Sequence, residues 1–185
     1  MNELVKQGFV DQQSRGKYSL SVKGKKLVDN LSSNRTNPHK MPKVITYTKL
    51  VDGDAVLLLK KDKEPYMGLL NMVGGKLHEG ELASEAAVRE VFEKTSLKVN
   101  EPELSGIFEI RIENAGSLIS HAIAYVFTVK VDPSDYENTS LVRFATGFLN
   151  NEKQFAPDLV PILNNIDSQT KPVVANITLD WAPLN

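Results

Sequence analysis

The residues of this chain best suited to chemistry lie between Gly74 and Leu97. Gly74-Gly75-Lys76 makes a short glycine-rich stretch, and the pattern after it predicts a helix from about Leu82 to Thr95. A glycine-rich loop that leads into a helix leaves backbone N–H groups free to receive an anion. On that helix Glu90 and Glu93 stand at i and i+3, so they are neighbours on one face. Ala83, Ala87, Val88, Val91 and Phe92 form the opposite, apolar face. One face is therefore expected to pack on a sheet while the other gathers carboxylates beside the glycines. Oxygen ligands of this kind suit Mg²⁺ or Mn²⁺, particularly when phosphate oxygens complete the shell. The glycines are not a dinucleotide fingerprint, because the Gly-x-Gly-x-x-Gly spacing is absent.

The elements that must position this segment are mostly strands. Val44-Ile45-Thr46-Tyr47-Thr48-Lys49-Leu50-Val51 is rich in β-branched residues and is bounded by the turn Asp52-Gly53-Asp54. Ala55-Val56-Leu57-Leu58-Leu59 has the continuous apolar character of a buried strand. Residues 62–75 form a polar, glycine-punctuated stretch. Two long strands follow, Leu104 to Ile112 and Leu118 to Val131, joined by Asn114-Ala115-Gly116-Ser117. Pro157-Asp158-Leu159-Val160-Pro161-Ile162-Leu163 starts a late helix, with proline suited to its first turn. Strands with one central and one late helix predict a layered α/β protein.

Composition narrows the class. Hydrophobic residues make up 41% and charged residues 24%, the balance of a globular protein. No apolar run approaches the roughly 20 residues that span a bilayer, so no membrane partner is expected. The chain has no cysteine, which excludes disulfides, cysteine zinc sites and thiol nucleophiles. The expected location is the cytoplasm. Charge is unevenly spread: residues 1–40 hold eight Lys/Arg against three acids, and the remainder holds fourteen against twenty. Such asymmetry points to two units with different partners, against the plain alternative of scattered surface charge.

Residues 34–42, with Pro38 and Pro42 and no hydrophobic period, are expected to be a linker between a segment at 1–33 and a domain at 43–185. The first segment has a helix–hairpin–helix pattern. Leu4 and Val5 sit on a short helix that Gly8 ends, Phe9-Val10 begins a strand, and Ser14-Arg15-Gly16-Lys17 makes a basic turn. Tyr18-Ser19-Leu20 returns, and Ser21 caps a helix carrying Val22, Leu27, Val28 and Leu31. Gly8-Phe9-Val10 followed by Lys17-Tyr18-Ser19-Leu20-Ser21-x-x-Gly24 resembles the wing and last helix of a winged-helix domain. The resemblance implies contact with DNA phosphates, without a helix to place in the major groove. The alternative is an accessory lobe or a dimerisation arm, which would make the protein a homodimer.

The segment from Gly75 to Leu97 resembles the Nudix box, Gly-x5-Glu-x7-Arg-Glu-U-x-Glu-Glu-x-Gly-U with U aliphatic. Gly75, Glu81, Arg89, Glu90, Val91, Glu93 and Leu97 match in register. The resemblance implies an αβα Nudix sandwich with a mixed sheet, and cleavage of a pyrophosphate bond in a nucleoside di- or triphosphate derivative by metal-activated water. It assigns the Gly74 carbonyl, Glu90 and Glu93 to the metal, with Glu81 holding the loop and reaching the metal through water. Glu90 is the metal ligand or the base that activates water, and Arg89 orients the carboxylates. Gly75 falls to the substrate phosphates; Lys76, which follows the glycines, is placed to touch a phosphate or is simply a solvated loop lysine, and Asn71 lies where related sandwiches line the nucleotide cleft. Asp158 is placed to read a base edge, or simply to supply negative charge at a helix start. Trp181 is expected to pack rather than to stack on a base.

Two positions depart from the motif. Ser96 replaces a glycine, which removes an easy positive-φ residue. Lys94 replaces a glutamate, and a lysine cannot ligate a cation. Its ammonium, four residues after Glu90, would neutralise Glu90 and Glu93 where a metal would otherwise sit. In the alternative it points to solvent, and Glu109, Glu113 or Glu137 supplies the missing ligand. The expected function is a Nudix hydrolase weakened by Lys94. The alternatives are a nucleotide-sensing Nudix domain of a winged-helix regulator, and a non-enzymatic interaction domain.

Overall fold

The computed structural model describes residues 2–29, 41–63, 66–146, 152–167 and 172–182. All but the last two residues of the expected linker lie outside these. The chain divides into two compact units, residues 1–41 and 42–185.

In the first unit α1 (Asn2–Lys6) leads into a hairpin of β1 (Val10–Ser14) and β2 (Lys17–Leu20), and α2 (Val22–Asp29) follows. Ser21 caps α2: its Oγ accepts from the Gly24 N–H at 3.0 Å and donates to the Gly8 carbonyl at 2.6 Å. Gly24 is required for close approach, since a Cβ there would lie 2.0 Å from the Phe9 carbonyl oxygen. The hairpin turn and α2 bring Arg15, Lys17, Lys23 and Lys25 into this unit, and Lys6 ends α1.

The second unit is built on a mixed sheet. Its strands are β3 (Lys43–Asp52), β4 (Ala55–Lys60), β5 (Leu70–Asn71), β6 (Val73–Lys76), β7 (Glu103–Asn114), β8 (Ser117–Lys130), β9 (Val142–Ala145) and β10 (Val173–Asp180). The helices are α3 (Ala83–Thr95), α4 (Pro133–Tyr136) and α5 (Leu159–Asp167). The sheet runs β10-β7-β8-β3-β4-β5, with β6 also on β3 and β9 also on β4. The β3–β8 and β10–β7 pairs are parallel, and the other pairs are antiparallel.

Both faces are covered, which explains the continuous apolar run in β4. Val56 and Leu58 join Phe108, Ile110, Val126 and the α5 residues Leu159, Ile162 and Leu163 on one face. Leu57 points the other way, to Leu50, Val73, Val91 and Leu97 beneath α3. This period-2 division places α3 and α5 on opposite faces, giving an αβα sandwich. On the α5 face the buried Lys49 pairs with Asp167 at the end of that helix. Tyr66 and Trp181 meet edge to face at 5.2 Å, a packing role for the tryptophan. Among the described residues no helix is long and apolar enough to cross a membrane.

Several elements differ from the expectation. The stretch 62–75 holds β5 and most of β6; two glycines have little strand preference, and β6 exists because β3 pairs with it. Likewise β9 and β10 are stabilised by β4 and β7 rather than by their own pattern. The late helix begins at Leu159, with the Asp158 carbonyl accepting the Ile162 N–H. The packed face of α3 is Ala86, Ala87, Glu90, Val91 and Thr95, whereas Phe92 is exposed.

Helix α3 ends on Ser96 at φ 62°, with its N–H on the Phe92 carbonyl. The position therefore demands the left-handed conformation that glycine adopts without steric cost. Ser96→Gly is expected to stabilise the unit by about 0.5–1 kcal/mol, the smaller part of the left-handed penalty, with the gain seen as a higher urea midpoint at unchanged slope. An unchanged or lower midpoint would contradict it.

Candidate functional site

The site forms where the edge of β3 changes partner. Leu50–Asp52 pair with β4, while Ile45–Thr48 pair with β6, and α3 packs against β6. The glycines of β6 let the layers approach. A Cβ on Gly74 would lie 2.0 Å from the Thr46 carbonyl oxygen, and one on Gly75 would lie 2.1 Å from Glu90 Oε1. Gly75 thus leaves the space that the Glu90 carboxylate fills, which buries an acid on the packed face of the helix.

Arg89 joins three carboxylates. Its Nε donates to Glu81 Oε1 at 2.7 Å and one terminal nitrogen to Glu81 Oε2 at 3.0 Å, a bidentate pair. That nitrogen also reaches the Lys76 carbonyl at 3.1 Å. The other terminal nitrogen donates to Glu90 Oε1 at 3.0 Å and Glu93 Oε2 at 3.2 Å. The hydrogen bond from Arg89 holds the Glu81 carboxyl at about 2, far below the usual carboxylate range. Glu81 also accepts the His78 N–H at 3.0 Å, closing the loop between β6 and α3.

Lys94 turns inward. Its Nζ lies 3.0 Å from Glu90 Oε2 and donates to the Gly74 carbonyl. Burial pushes the Glu90 carboxyl up, but the hydrogen bonds and charges of Lys94 and Arg89 outweigh it, and the group stays below its ordinary range. Both Glu90 oxygens are engaged by cations. Glu93 differs: Arg89 holds Oε2, while Oε1 has no partner among the described residues.

This donor set does not fit a divalent cation as it stands. Mg²⁺ requires near-octahedral oxygen ligands at about 2.1 Å. Here an ammonium occupies the Gly74 carbonyl and one Glu90 oxygen, and Arg89 takes both Glu81 oxygens and the other Glu90 oxygen. Among the described residues no group of three or more His, Asp or Glu converges as a metal cage. The suggested substitutes lie elsewhere. Glu109 pairs with His121 at 3.1 Å, Glu113 pairs with Arg111 at 2.7 Å, and neither these acids nor Glu137 lines the cleft.

The cleft beside these residues has a volume of about 500 Å³. Lys43, Lys61, Lys63, Lys76 and Lys94 line it, against Asp62, Glu90 and Glu93, together with Ile45, Tyr47, Tyr66, Gly74 and Gly75. Burial, then the charge of Lys94, pulls the Lys61 ammonium down. Sequence reasoning missed Lys43, Lys61 and Lys63; the run Lys60-Lys61-Asp62-Lys63 directly after a buried strand was the available signal.

Asn71 and Asp158 do not line the cleft. Both are buried behind Tyr47, which does. Tyr47 donates to Asp158 Oδ2 at 2.8 Å, and Asn71 Nδ2 donates to Asp158 Oδ1 at 3.2 Å and to the Tyr47 hydroxyl at 3.3 Å. Burial raises the Asp158 carboxyl above its ordinary value despite these bonds. The trio fixes the tyrosine that forms part of the cleft wall.

Residues 40–152 match the family model of the NUDIX domain. The uncharacterized Nudix hydrolase YvcI of Bacillus subtilis (strain 168) is 31% identical over 83 residues, 45% of this chain and 51% of that protein. The chain thus matches about half the length of that curated relative. The structure is similar to that of a MutT protein from Bacillus halodurans, at TM-score 0.58 and 25% identity, covering 75% of this chain and 90% of that one. A MutT NUDIX hydrolase from Burkholderia pseudomallei shares the fold at TM-score 0.55 and 22% identity, covering 68% of this chain and 98% of that one. The family match takes in more than half of the chain, including all of β6, the loop and α3, and the chain belongs to the Nudix family.

Proposed function

We propose that the second unit hydrolyses a pyrophosphate bond in a nucleoside di- or triphosphate derivative held in the lysine-lined cleft. The observation that carries this reading is the meeting of five lysines with the carboxylates of α3 in a cleft of about 500 Å³. That volume lies within the ordinary range for small-molecule sites, and an excess of ammonium groups among the described lining residues favours a polyphosphate. Membership of a hydrolase family supports water as the acceptor.

Nudix hydrolases generally use divalent cations, but here the charge that builds on the phosphates falls on the ammonium groups of this chain. Water adds to one phosphorus as the bridging P–O bond breaks. The departing phosphate takes the electron pair, beside Lys94 and Lys76. Glu93, whose Oε1 has no partner among the described residues, accepts the proton from water as general base. Glu90 and Arg89 are positioning residues: Glu90 holds the Lys94 ammonium, and Arg89 holds Glu81, Glu90 and Glu93. Asn71 and Asp158 hold Tyr47 in the cleft wall, and the Asp158 charge also acts on the neighbouring Lys61.

The test is release of phosphate or pyrophosphate from a panel of nucleotide derivatives, in Mg²⁺, in Mn²⁺ and in EDTA. Turnover on at least one of them is expected, with Glu93→Gln slowing it by about 100-fold, the lower end of general-base effects. Absence of turnover on every substrate, from protein that still binds nucleotide, would overturn hydrolysis and leave a binding domain.

A further inference from the structure

We propose that the Lys94 ammonium is a built-in cation in place of a divalent metal, so that this site has no high-affinity metal position and holds phosphate through ammonium groups. The position is defined by two oxygens from different elements: the Gly74 carbonyl on β6 and Glu90 Oε2 on α3, both engaged by Lys94 Nζ. Their approach is possible because Gly75 has no side chain to hold Glu90 away. A buried carboxylate needs a cation beside it, and Lys94 supplies that cation from within the same helix, without ligand exchange. A second cation would meet ammonium repulsion and find neither Glu81 oxygen free of Arg89. Lys61 and Lys76 extend the same positive wall, so the cleft carries the charge that a metal–phosphate complex would otherwise balance. The phosphate half of this inference rests on the function proposed above; the metal half does not.

The experiment uses the full chain and Mn²⁺ itself, with free Mn²⁺ followed by electron paramagnetic resonance. Wild-type protein is expected to bind Mn²⁺ weakly, and Lys94→Glu roughly tenfold or more tightly, because affinity follows the number and charge of oxygen ligands. Adding Glu90→Gln to Lys94→Glu should remove the gain, which locates the ion. Lys94→Ala, which frees both oxygens without adding a carboxylate, should show a smaller gain and guards against a misfolded glutamate variant. Mn²⁺ should also raise the melting temperature of Lys94→Glu and leave wild type unmoved. Wild-type binding as tight as that of Lys94→Glu, and lost in Glu90→Gln, would overturn the proposal. In a second arm, wild type should bind the α,β-methylene analogue of ATP equally well in Mg²⁺ and in EDTA, and loss of binding in EDTA would also overturn it. If the analogue binds in neither condition, the nucleotide reading and the phosphate half of this proposal fail together, while the Mn²⁺ titration still decides the metal half.

Discussion

Glu90→Gln is expected to lower kcat by about 100-fold or more, the scale of a catalytic group displaced by about an ångström. The substitution keeps the shape of the side chain and removes the charge that anchors Lys94 Nζ at 3.0 Å and receives Arg89 at 3.0 Å. The freed ammonium can then follow the phosphates rather than stay beside the Gly74 carbonyl. A loss of packing alone would lower kcat and stability together and leave the ground-state affinity without a defined direction. A positioning role predicts a split. Removing an anion from a lysine-lined cleft strengthens phosphate binding, so KM should stay level or fall while kcat falls. Steady-state kinetics on whichever nucleotide derivative is turned over gives both numbers. Unchanged kcat, or a KM that rises with kcat intact, would remove Glu90 from the proposed machinery.

Arg89→Met is expected to have the largest effect on stability, about 2–4 kcal/mol, near or just below the cost of breaking a buried ion pair by removing one partner. Methionine retains much of the apolar stem and deletes the guanidinium. Glu90 is then left buried with Lys94 alone, and Glu81 loses its bidentate partner. Glu93 is half exposed and can turn to water, which keeps the loss below a full sum over three pairs. For a unit of this size the melting temperature should fall by roughly 5–15 °C. The loss should also depend on pH in a defined direction. The Glu81 carboxyl is held at about 2 in the folded protein, below its unfolded value of about 4.3. Its contribution is therefore fully present above about pH 4.3 and is lost as pH falls toward 2. The gap between wild type and Arg89→Met should narrow over that window in urea titrations. A gap that is constant with pH would show that Arg89 acts by packing and not by holding carboxylates.

Short-range pattern accounts for what could be read directly from the chain. The i, i+3 spacing of Glu90 and Glu93, the length of α3, the two long strands and the N-terminal hairpin all depend on neighbours within a turn or a hairpin. The Nudix resemblance also rested on one contiguous segment, and its register placed Gly75, Glu81, Arg89 and Glu93 around one site without reference to tertiary structure. What the chain did not reveal depends on partners far along it. Tyr47, Asn71 and Asp158 bond across sequence separations of 24, 87 and 111 residues, so no window contains the trio. Strand β6 carries two glycines and is a strand only because β3 supplies its hydrogen bonds. An acid on the packed face of α3 contradicts the amphipathic pattern until the missing Cβ of Gly75 and the two cations of the same helix are seen together. Lys94 is the clearest case. Helical spacing put it within reach of Glu90, yet a four-carbon stem reaches solvent equally well. The Gly74 carbonyl, brought under α3 by the pairing of β6 with β3, provides the second acceptor that turns the ammonium inward, and only the tertiary structure places it there.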